Sequence, residues 1–193
     1  MKDKAREEKN LSNTKKEAIE WIFAILVGVI IVLLVRSFIV TSYEVIGNSM
    51  MPTLSNKDKV IVSKLSTINR LDLIIFRGEA KDDYVKRVIG VPGDTITYEN
   101  DELFINNKKV EEPFLKSHPA YNNTEENFTE DFELYELTGS KTVPPNKFFV
   151  LGDNRISSLD SRYFHFIDQE DVIGEVKATY WPVSHFTINY HSE

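Results

Sequence analysis

The chain has 193 residues, no cysteine and a formal net charge of −7 at pH 7. This length is enough for one domain with a real core, and the lack of thiols excludes a cysteine nucleophile, a cysteine-ligated zinc and a disulfide framework. Because no basic stripe accumulates beyond the N-terminal region, nucleic acid is not an expected partner.

An apolar run of twenty residues, WIFAILVGVIIVLLVRSFIV, occupies positions 21–40. At about 1.5 Å per residue, a helix of this length spans about 30 Å, the thickness of the hydrocarbon core of a bilayer. The single charge in the run, Arg36, lies near its end, where a long side chain can reach the headgroups. We expect an uncleaved transmembrane anchor here. The alternative is a cleaved signal peptide, with Val40-Thr41-Ser42 as the small-residue site.

The distribution of positive charge predicts the orientation of this anchor. Six lysines and arginines precede the run, whereas residues 41–60 contain only two. Since lysine and arginine accumulate in cytoplasmic segments, residues 1–20 are expected to form a cytoplasmic tail and residues 41–193 an extracytoplasmic domain. The eight residues that separate the run from Ser49 reach less than about 30 Å when extended, so Ser49 is expected close to the outer membrane surface.

The rest of the chain is predicted to form short β-strands in a barrel-like or sandwich domain. Residues 111–145 are mostly charged and polar, and they are expected to form an exposed insertion or small lobe. Asn106-Asn107 is expected to be a hairpin turn. The predicted fold class is therefore mostly β: a single transmembrane helix, then an antiparallel β-rich catalytic domain with a small polar insertion. The predicted strands are Tyr43–Ile46, Lys59–Ser63, Asp72–Phe76, Tyr84–Val91, Thr95–Tyr98, Leu103–Ile105, Lys147–Leu151 and Val172–Tyr180.

Two segments carry residues that can perform chemistry together. The segment GNSMMPTL presents Ser49 in a proline-bounded loop, and the segment YVKRVI places Lys86 among apolar β-formers. Alternate residues of a strand share a face, so Lys86 and Arg87 are expected to point in different directions. If Lys86 faces the core, burial lowers the pKa of its amine and makes it a possible general base for Ser49. Taken singly, each segment also has a structural interpretation, a turn serine and a surface pair of cations.

A third segment, LGDNRISSLDSR, follows the predicted strand that ends at Leu151. It contains two arginines, two aspartates and three serines within the eleven residues 152–162. Gly-Asp-Asn is typical of a turn. The cluster is either a solvated loop or a hydrogen-bonded shelf that orients a catalytic side chain.

Together with RLDLIIF and the preceding anchor, these segments resemble the bacterial type I signal peptidases, the membrane-bound Ser-Lys endopeptidases that remove signal peptides from exported proteins. The resemblance extends from the apolar run to about Pro182 and is nearer to the short Gram-positive members. It implies that Ser49 is the nucleophile, that Lys86 is its general base and that the Ser158 hydroxyl helps to hold the lysine amine. It also implies a supporting polar shell and a pocket for small side chains. The shell would be Asp153, Arg87, Asp160 and Arg162, and the pocket residues Val45, Met50, Tyr84 and Val85.

The same resemblance implies cleavage after Ala-x-Ala sequences without a cofactor. The implied partners are the signal peptides of preproteins, the lipid bilayer and the secretion translocon. Some relatives carry a serine two residues before the nucleophile that helps to bind the oxyanion. Here that position is Gly47, so the Ser49 backbone N–H is the expected donor.

Two other functions remain open: a Ser-Lys self-cleaving regulator and a non-catalytic, membrane-tethered binding module. The regulator would need a DNA-binding domain or a cytoplasmic location, and the sequence indicates neither. The four histidines lack the spacing of metal ligands, so no metal is expected. A histidine-based triad stays open, although His165, between two phenylalanines, is expected to be a packed side chain. The histidines are His118, His165, His185 and His191.

Overall fold

The structure is a computed structural model that divides the chain into two units, residues 1–40 and residues 41–193. For residues 2–15 and 36–38 the structure describes the backbone alone. The described residues are 2–78, 82–121, 127–188 and 190.

The first unit contains one long helix, α1 (Lys2–Phe38). Its segment Lys16–Val35 is long and apolar enough to cross a membrane, by length and composition. The described side chains of this segment are exposed on every side of the helix, whereas a helix on a soluble core has one apolar stripe. The helix ends two residues before the end of the apolar run, because Val40 and Thr41 already belong to a strand, which their β-branched side chains favour.

The second unit is built on antiparallel strands, as predicted. The strands of the larger sheet are β1 (Val40–Glu44), β2 (Lys59–Ser63), β3 (Leu73–Arg77), β4 (Asp83–Gly90), β9 (Lys147–Leu151), β10 (Ile167–Asp168), β11 (Val172–Trp181) and β12 (Thr187–Ile188). Their order in the sheet is β1-β2-β11-β3-β4-β9-β10, and β12 pairs with β11. This places β4 inside the sheet, between β3 and β9.

A smaller sheet contains β5 (Ile96–Glu99), β6 (Glu102–Ile105), β7 (Lys108–Val110) and β8 (Phe132–Glu133), in the order β7-β6-β5-β8. Asn106 and Asn107 have φ of +53° and +60° and form the expected hairpin turn between β6 and β7, because asparagine tolerates the left-handed region that such turns require. The short helix α2 (Leu134–Thr138) follows β8, and α3 (Ser161–Phe164) follows β9.

Residues 111–121 and 127–145 combine exposed side chains with a smaller number that pack inward. They supply β8 to the smaller sheet and contribute Phe132, Leu134 and Val143 to a buried apolar cluster with Phe149 of β9. The segment is polar in composition, but several of its apolar side chains pack inward, whereas Tyr135 is exposed. The insertion is therefore joined to the larger sheet through a shared core.

The two faces of β4 pack against different apolar clusters. Val85 joins the cluster of Ile75 and Val45 on one face, and Val88 joins that of Ile74 on the other. Lys86 and Arg87 are only 2% and 0% exposed. The surface-pair interpretation is therefore wrong, and both cations are held inside the domain.

Candidate active site

Ser49 lies in a turn that follows β1. Gly47 has a φ of +92°, a conformation that glycine adopts without steric cost, and its N–H donates to Asn56 Oδ1 at 3.0 Å. The Met51 N–H donates to the Asn48 carbonyl at 3.1 Å and closes the turn around the serine. The backbone of the loop is therefore held before and after Ser49.

The amine of Lys86 meets the hydroxyl of Ser49. Lys86 Nζ lies 2.7 Å from Ser49 Oγ and 3.1 Å from the Val85 carbonyl oxygen. Burial lowers the pKa of Lys86 to about 8, against the opposing effect of Asp160 and Asp153, which raise it. A larger fraction of this amine is neutral near pH 7 than in an exposed lysine, and only the neutral form can accept a proton.

A buried ion pair joins β4 to the loop after β9. Arg87 donates from Nε and Nη2 to the two carboxylate oxygens of Asp153, at 2.9 and 2.6 Å, and both side chains are fully buried. Asp153 also accepts from Thr53 Oγ1 at 2.5 Å, four residues after the nucleophile. The remaining nitrogen, Arg87 Nη1, donates to the Leu71 carbonyl at 2.8 Å. Since a bidentate buried pair fixes orientation as well as distance, it holds the exit of the serine loop.

Asp160 organises the other half of this loop, which we call the shelf (residues 152–162). Its Oδ2 accepts from the Gly152 N–H at 3.0 Å, and its two oxygens accept from Arg162 Nε and Nη2 at 2.9 Å each. Arg162 Nη2 also donates to the Arg155 carbonyl at 2.8 Å. The polar segment is thus an internally bonded shelf and not a solvated loop.

The shelf binds the serine loop directly through Asn154, a residue that the sequence analysis does not single out. Its N–H donates to the Ser49 carbonyl at 3.0 Å, and its Nδ2 donates to the Asn48 carbonyl at 3.1 Å. Gly152 permits this approach, because a Cβ there would lie 2.6 Å from the Ser49 carbonyl oxygen and would overlap Ser158 Oγ. Asn154 looked like an ordinary turn residue, and only the tertiary contact identifies it.

Ser158 lies beside Gly152, and its hydroxyl is buried. Ser158 Oγ has no hydrogen-bond partner within the described part of the chain. The expected bond to the Lys86 amine is therefore not formed in this arrangement. A buried hydroxyl without a partner is unfavourable.

A cleft of about 560 Å³ opens beside Ser49 and Lys86. Three of the four expected pocket residues line it, Val45, Tyr84 and Val85. Met50 does not line it; its side chain is 1% exposed and packs in the apolar core, because the turn directs it away from the hydroxyl of its neighbour. The cleft is also lined by residues that sequence reasoning did not select, namely Tyr43, Glu44, Ile46, Ile75, Asp82 and Asp83.

The histidines of the described residues are placed away from the serine and lysine. His165 is exposed, with a φ of +67°, at the end of α3, so its expected packing is wrong: the chain reverses there and turns the ring outward. His185 Nδ1 lies 2.8 Å from Asp58 Oδ1, and His118 contacts the Phe128 ring. His191 lies outside the described residues, and within them no group of three potential metal ligands occurs.

Comparison with known proteins identifies the class. The family model described as "Signal peptidase, peptidase S26" matches residues 18–181. Signal peptidase I of Bacillus caldolyticus is 46% identical over 168 residues, 85% of this chain and 92% of that protein. Signal peptidase IB of Staphylococcus aureus (strain MRSA252) is 40% identical over 187 residues, 93% of this chain and 97% of that protein.

The chain is also similar to a solved structure of the same family. The crystal structure of a signal peptidase I from Enterococcus faecalis V583 has a TM-score of 0.54 and 43% sequence identity, and covers 57% of this chain and 97% of that chain. The β-rich domain is therefore that of a peptidase. More specifically, the chain belongs to the signal peptidase family, peptidase S26, as its sequence segments predicted.

Proposed function

We propose that this protein is a membrane-bound serine endopeptidase that cleaves N-terminal signal peptides from exported preproteins, with Ser49 as nucleophile and Lys86 as general base. Membership of the signal peptidase family supports the substrate class. The observation that carries the proposal for the two residues is the 2.7 Å approach of Ser49 Oγ to Lys86 Nζ, an amine that is almost completely buried.

In the first step, neutral Lys86 accepts the proton of Ser49 as Oγ attacks the scissile carbonyl carbon. The carbonyl electron pair moves onto oxygen and forms the oxyanion. When the oxyanion collapses, the carbon–nitrogen bond breaks and the Lys86 ammonium gives its proton to the leaving amine. An ester between the signal peptide and Ser49 remains.

In the second step, Lys86 accepts a proton from water as the water attacks this ester. The carbon–oxygen bond to Ser49 breaks, and the proton returns to the serine oxygen. The signal peptide leaves with a free carboxylate. Both residues are restored, so no cofactor is needed.

The oxyanion needs a donor, and we assign this role to the Ser49 backbone N–H. It donates to no acceptor among the residues that the structure describes, and the carbonyl of Ser49 is held by Asn154. Gly47 provides no side-chain donor. One preorganised donor typically contributes about 3–4 kcal/mol to transition-state stabilisation. We expect a contribution of this size from the Ser49 N–H.

The cleft supports a preference for small side chains before the cut. Val45, Ile75 and Val85 give it apolar walls next to the dyad. Branched side chains on both sides leave room for alanine and disfavour larger residues, which is consistent with Ala-x-Ala sequences. Met50 packs in the core behind these walls and does not contact the cleft.

We assign membrane attachment to the apolar segment of α1, with the tail in the cytoplasm and the peptidase domain outside. The length and composition of Lys16–Val35 and the excess of lysine and arginine before it support this orientation. The lipid bilayer and the secretion translocon are the expected partners of this topology. A cytoplasmic self-cleaving regulator would require the opposite orientation.

Cleavage of a preprotein by the full-length chain in detergent tests the proposal. Wild type and the control variant Ser117→Ala, at an exposed serine, are expected to release a signal peptide that ends after a small residue, as read by mass spectrometry of both products. Ser49→Ala is expected to release none. Normal cleavage by Ser49→Ala would contradict the nucleophile, and binding without cleavage by wild type would favour the binding module.

A further inference from the structure

A second buried polar group, which takes no part in the proposed mechanism, joins the insertion to the shelf. We call it the insertion cluster, and it consists of Tyr98, Glu112, Thr129 and Arg155, all nearly inaccessible. Arg155 Nη2 donates to Glu112 Oε1 at 2.5 Å, and Arg155 Nη1 donates to Tyr98 Oη at 3.0 Å and to Thr129 Oγ1 at 3.2 Å. The Tyr98 hydroxyl donates to Glu112 Oε2 at 2.5 Å.

Arg155 belongs at the same time to the shelf that holds the nucleophile. Its Nε donates to the Gly152 carbonyl at 2.9 Å, and its own carbonyl accepts from Arg162. The residue before it, Asn154, donates to the carbonyls of Asn48 and Ser49. A continuous series of hydrogen bonds and one peptide bond therefore leads from Glu112 to the nucleophile.

The insertion also contacts Arg87 of β4, the ion-pair partner of the shelf residue Asp153, two residues after Glu112. The Phe114 ring lies against the Arg87 guanidinium, with 3.7 Å from Arg87 Cζ to the ring centroid. Arg87 in turn forms the bidentate pair with Asp153. The short stretch 112–114 thus contacts both buried arginines that hold the shelf, Arg155 and Arg87. A loop that only covers the surface would not make these contacts.

We infer that Glu112 is a positioning residue for the reaction: through Arg155 it holds the shelf in the geometry that presents Ser49 to Lys86. The inference rests on the proposed function. The carboxylate is the only anionic group bonded to Arg155 within the described residues, so its loss leaves a buried guanidinium unpaired, and such a charge is strongly unfavourable. A movement of Arg155 would reduce this unfavourable burial, and Gly152 and Asn154, which are bonded to Arg155, would move with it.

The kinetic test compares wild type with Glu112→Gln in the full-length chain. A displacement of about 1 Å of a reacting group can lower the rate about a hundredfold, so we expect kcat to fall about tenfold or more. KM is expected to stay unchanged, because the residues that form the cleft walls lie outside the shelf. A wild-type kcat in Glu112→Gln would overturn the inference.

Glu175→Gln is the matched control. Glu175 is 6% exposed and Glu112 is 8% exposed, and Glu175 pairs with Lys177 on β11, away from the shelf. Both variants lose a buried carboxylate, so a general loss of stability affects both. If kcat falls by the same factor in the two variants, Glu112 has only a structural role and the inference is wrong.

A milder variant, Tyr98→Phe, keeps the inference testable if Glu112→Gln does not fold. It removes the hydroxyl that bonds both Glu112 and Arg155 but keeps the ring in its core. We expect a smaller fall of kcat, about threefold, in proportion to one weaker hydrogen bond. Unchanged kcat in a folded Tyr98→Phe, together with an unfolded Glu112→Gln, would contradict the positioning role.

Hydrogen exchange tests the coupling without a substrate, so its result does not depend on the proposed function. The Asn154 N–H bonds the Ser49 carbonyl, and peptides covering residues 152–156 report its protection. We expect faster exchange there in Glu112→Gln than in wild type or Glu175→Gln. Equal protection in all three would overturn the inference, whereas a wild type that does not cleave preproteins would overturn the proposed function alone.

Discussion

Lys86 lies in the interior of a sheet, opposite Ile74 in the register of β3 and β4, yet its amine is 2.7 Å from the hydroxyl of Ser49. The strand supplies the burial that lowers the pKa of the amine, and the turn after β1 brings the hydroxyl to it. Neither segment produces a base–nucleophile pair alone. The contact between them is the centre of the proposed chemistry.

The pH dependence of cleavage follows from the lowered pKa of Lys86, about 8. Only the neutral amine accepts the serine proton, so kcat/KM is expected to rise about tenfold for each pH unit on the acid side and to level off above about pH 8. The measurement is a profile of kcat/KM against pH with a neutral peptide substrate. A flat profile down to about pH 5 contradicts a lysine base.

Removing the Ser158 hydroxyl tests whether it holds the lysine amine during the reaction. Because Ser158 Oγ is buried and unpartnered here, Ser158→Ala is expected to leave the melting temperature unchanged or raised. If the hydroxyl bonds the amine in the substrate complex, kcat falls about tenfold, as expected for one hydrogen bond to a charged group. The exposed neighbour provides the control, Ser157→Ala. Equal kcat in wild type and both variants excludes the role.

Gly152→Ala is expected to abolish activity in a protein that still folds. The added Cβ would meet the Ser49 carbonyl oxygen at 2.6 Å, and the shelf has to move away from the nucleophile. Gly139 gives the control: its φ is +73° and a Cβ there meets nothing within 4 Å. Gly139→Ala should cost about 1–2 kcal/mol of stability and leave kcat unchanged. Full activity of Gly152→Ala would show that the shelf does not position Ser49.

Local patterns were sufficient to predict much of this molecule. The strands Lys59–Ser63 and Lys147–Leu151 have the expected bounds, because runs of branched and aromatic residues are bounded by clear turn residues. The mostly β fold and the apolar helix follow from the same kind of pattern. The two-residue strands, β7, α2 and α3 are not predicted, because they depend on neighbours that are remote in sequence.

The reacting residues of the candidate site and the polar shell of Arg87, Asp153, Asp160 and Arg162 could be predicted, because they stand in segments with a recognisable pattern. Ser49 and Lys86 stand in distinctive segments, whereas Asn154 and Glu112 act through the groups they touch, which no local pattern indicates. Met50 is expected to line the pocket for small side chains. The turn instead buries it, since neighbours in a tight turn point in different directions.

The lowered pKa of Lys86 also predicts an effect on stability. A pKa shift from the ordinary 10.5 to about 8 means that folding disfavours the charged amine. The penalty is fully present below about pH 8 and disappears as the pH rises to about 10.5, where both the folded and the unfolded states lose the proton. Lys86→Met, which keeps the length without the charge, should therefore be more stable than wild type at pH 7, by roughly 1–3 kcal/mol. Chemical denaturation at pH 7 and pH 10 should show a smaller difference in stability at pH 10. A variant that is less stable than wild type at pH 7 would contradict a destabilising effect of the buried amine.

Cleavage of a signal-peptide substrate by this same Lys86→Met variant is the most direct test of the central claim. Its expected stability removes unfolding as an explanation, and Lys147→Met, at a partly exposed ion pair on β9, controls for the loss of a lysine. The account predicts normal product formation by wild type and Lys147→Met, and none by Lys86→Met at any pH between 6 and 10. Correctly cleaved product from Lys86→Met at the wild-type rate would show that Ser49 does not depend on a lysine base.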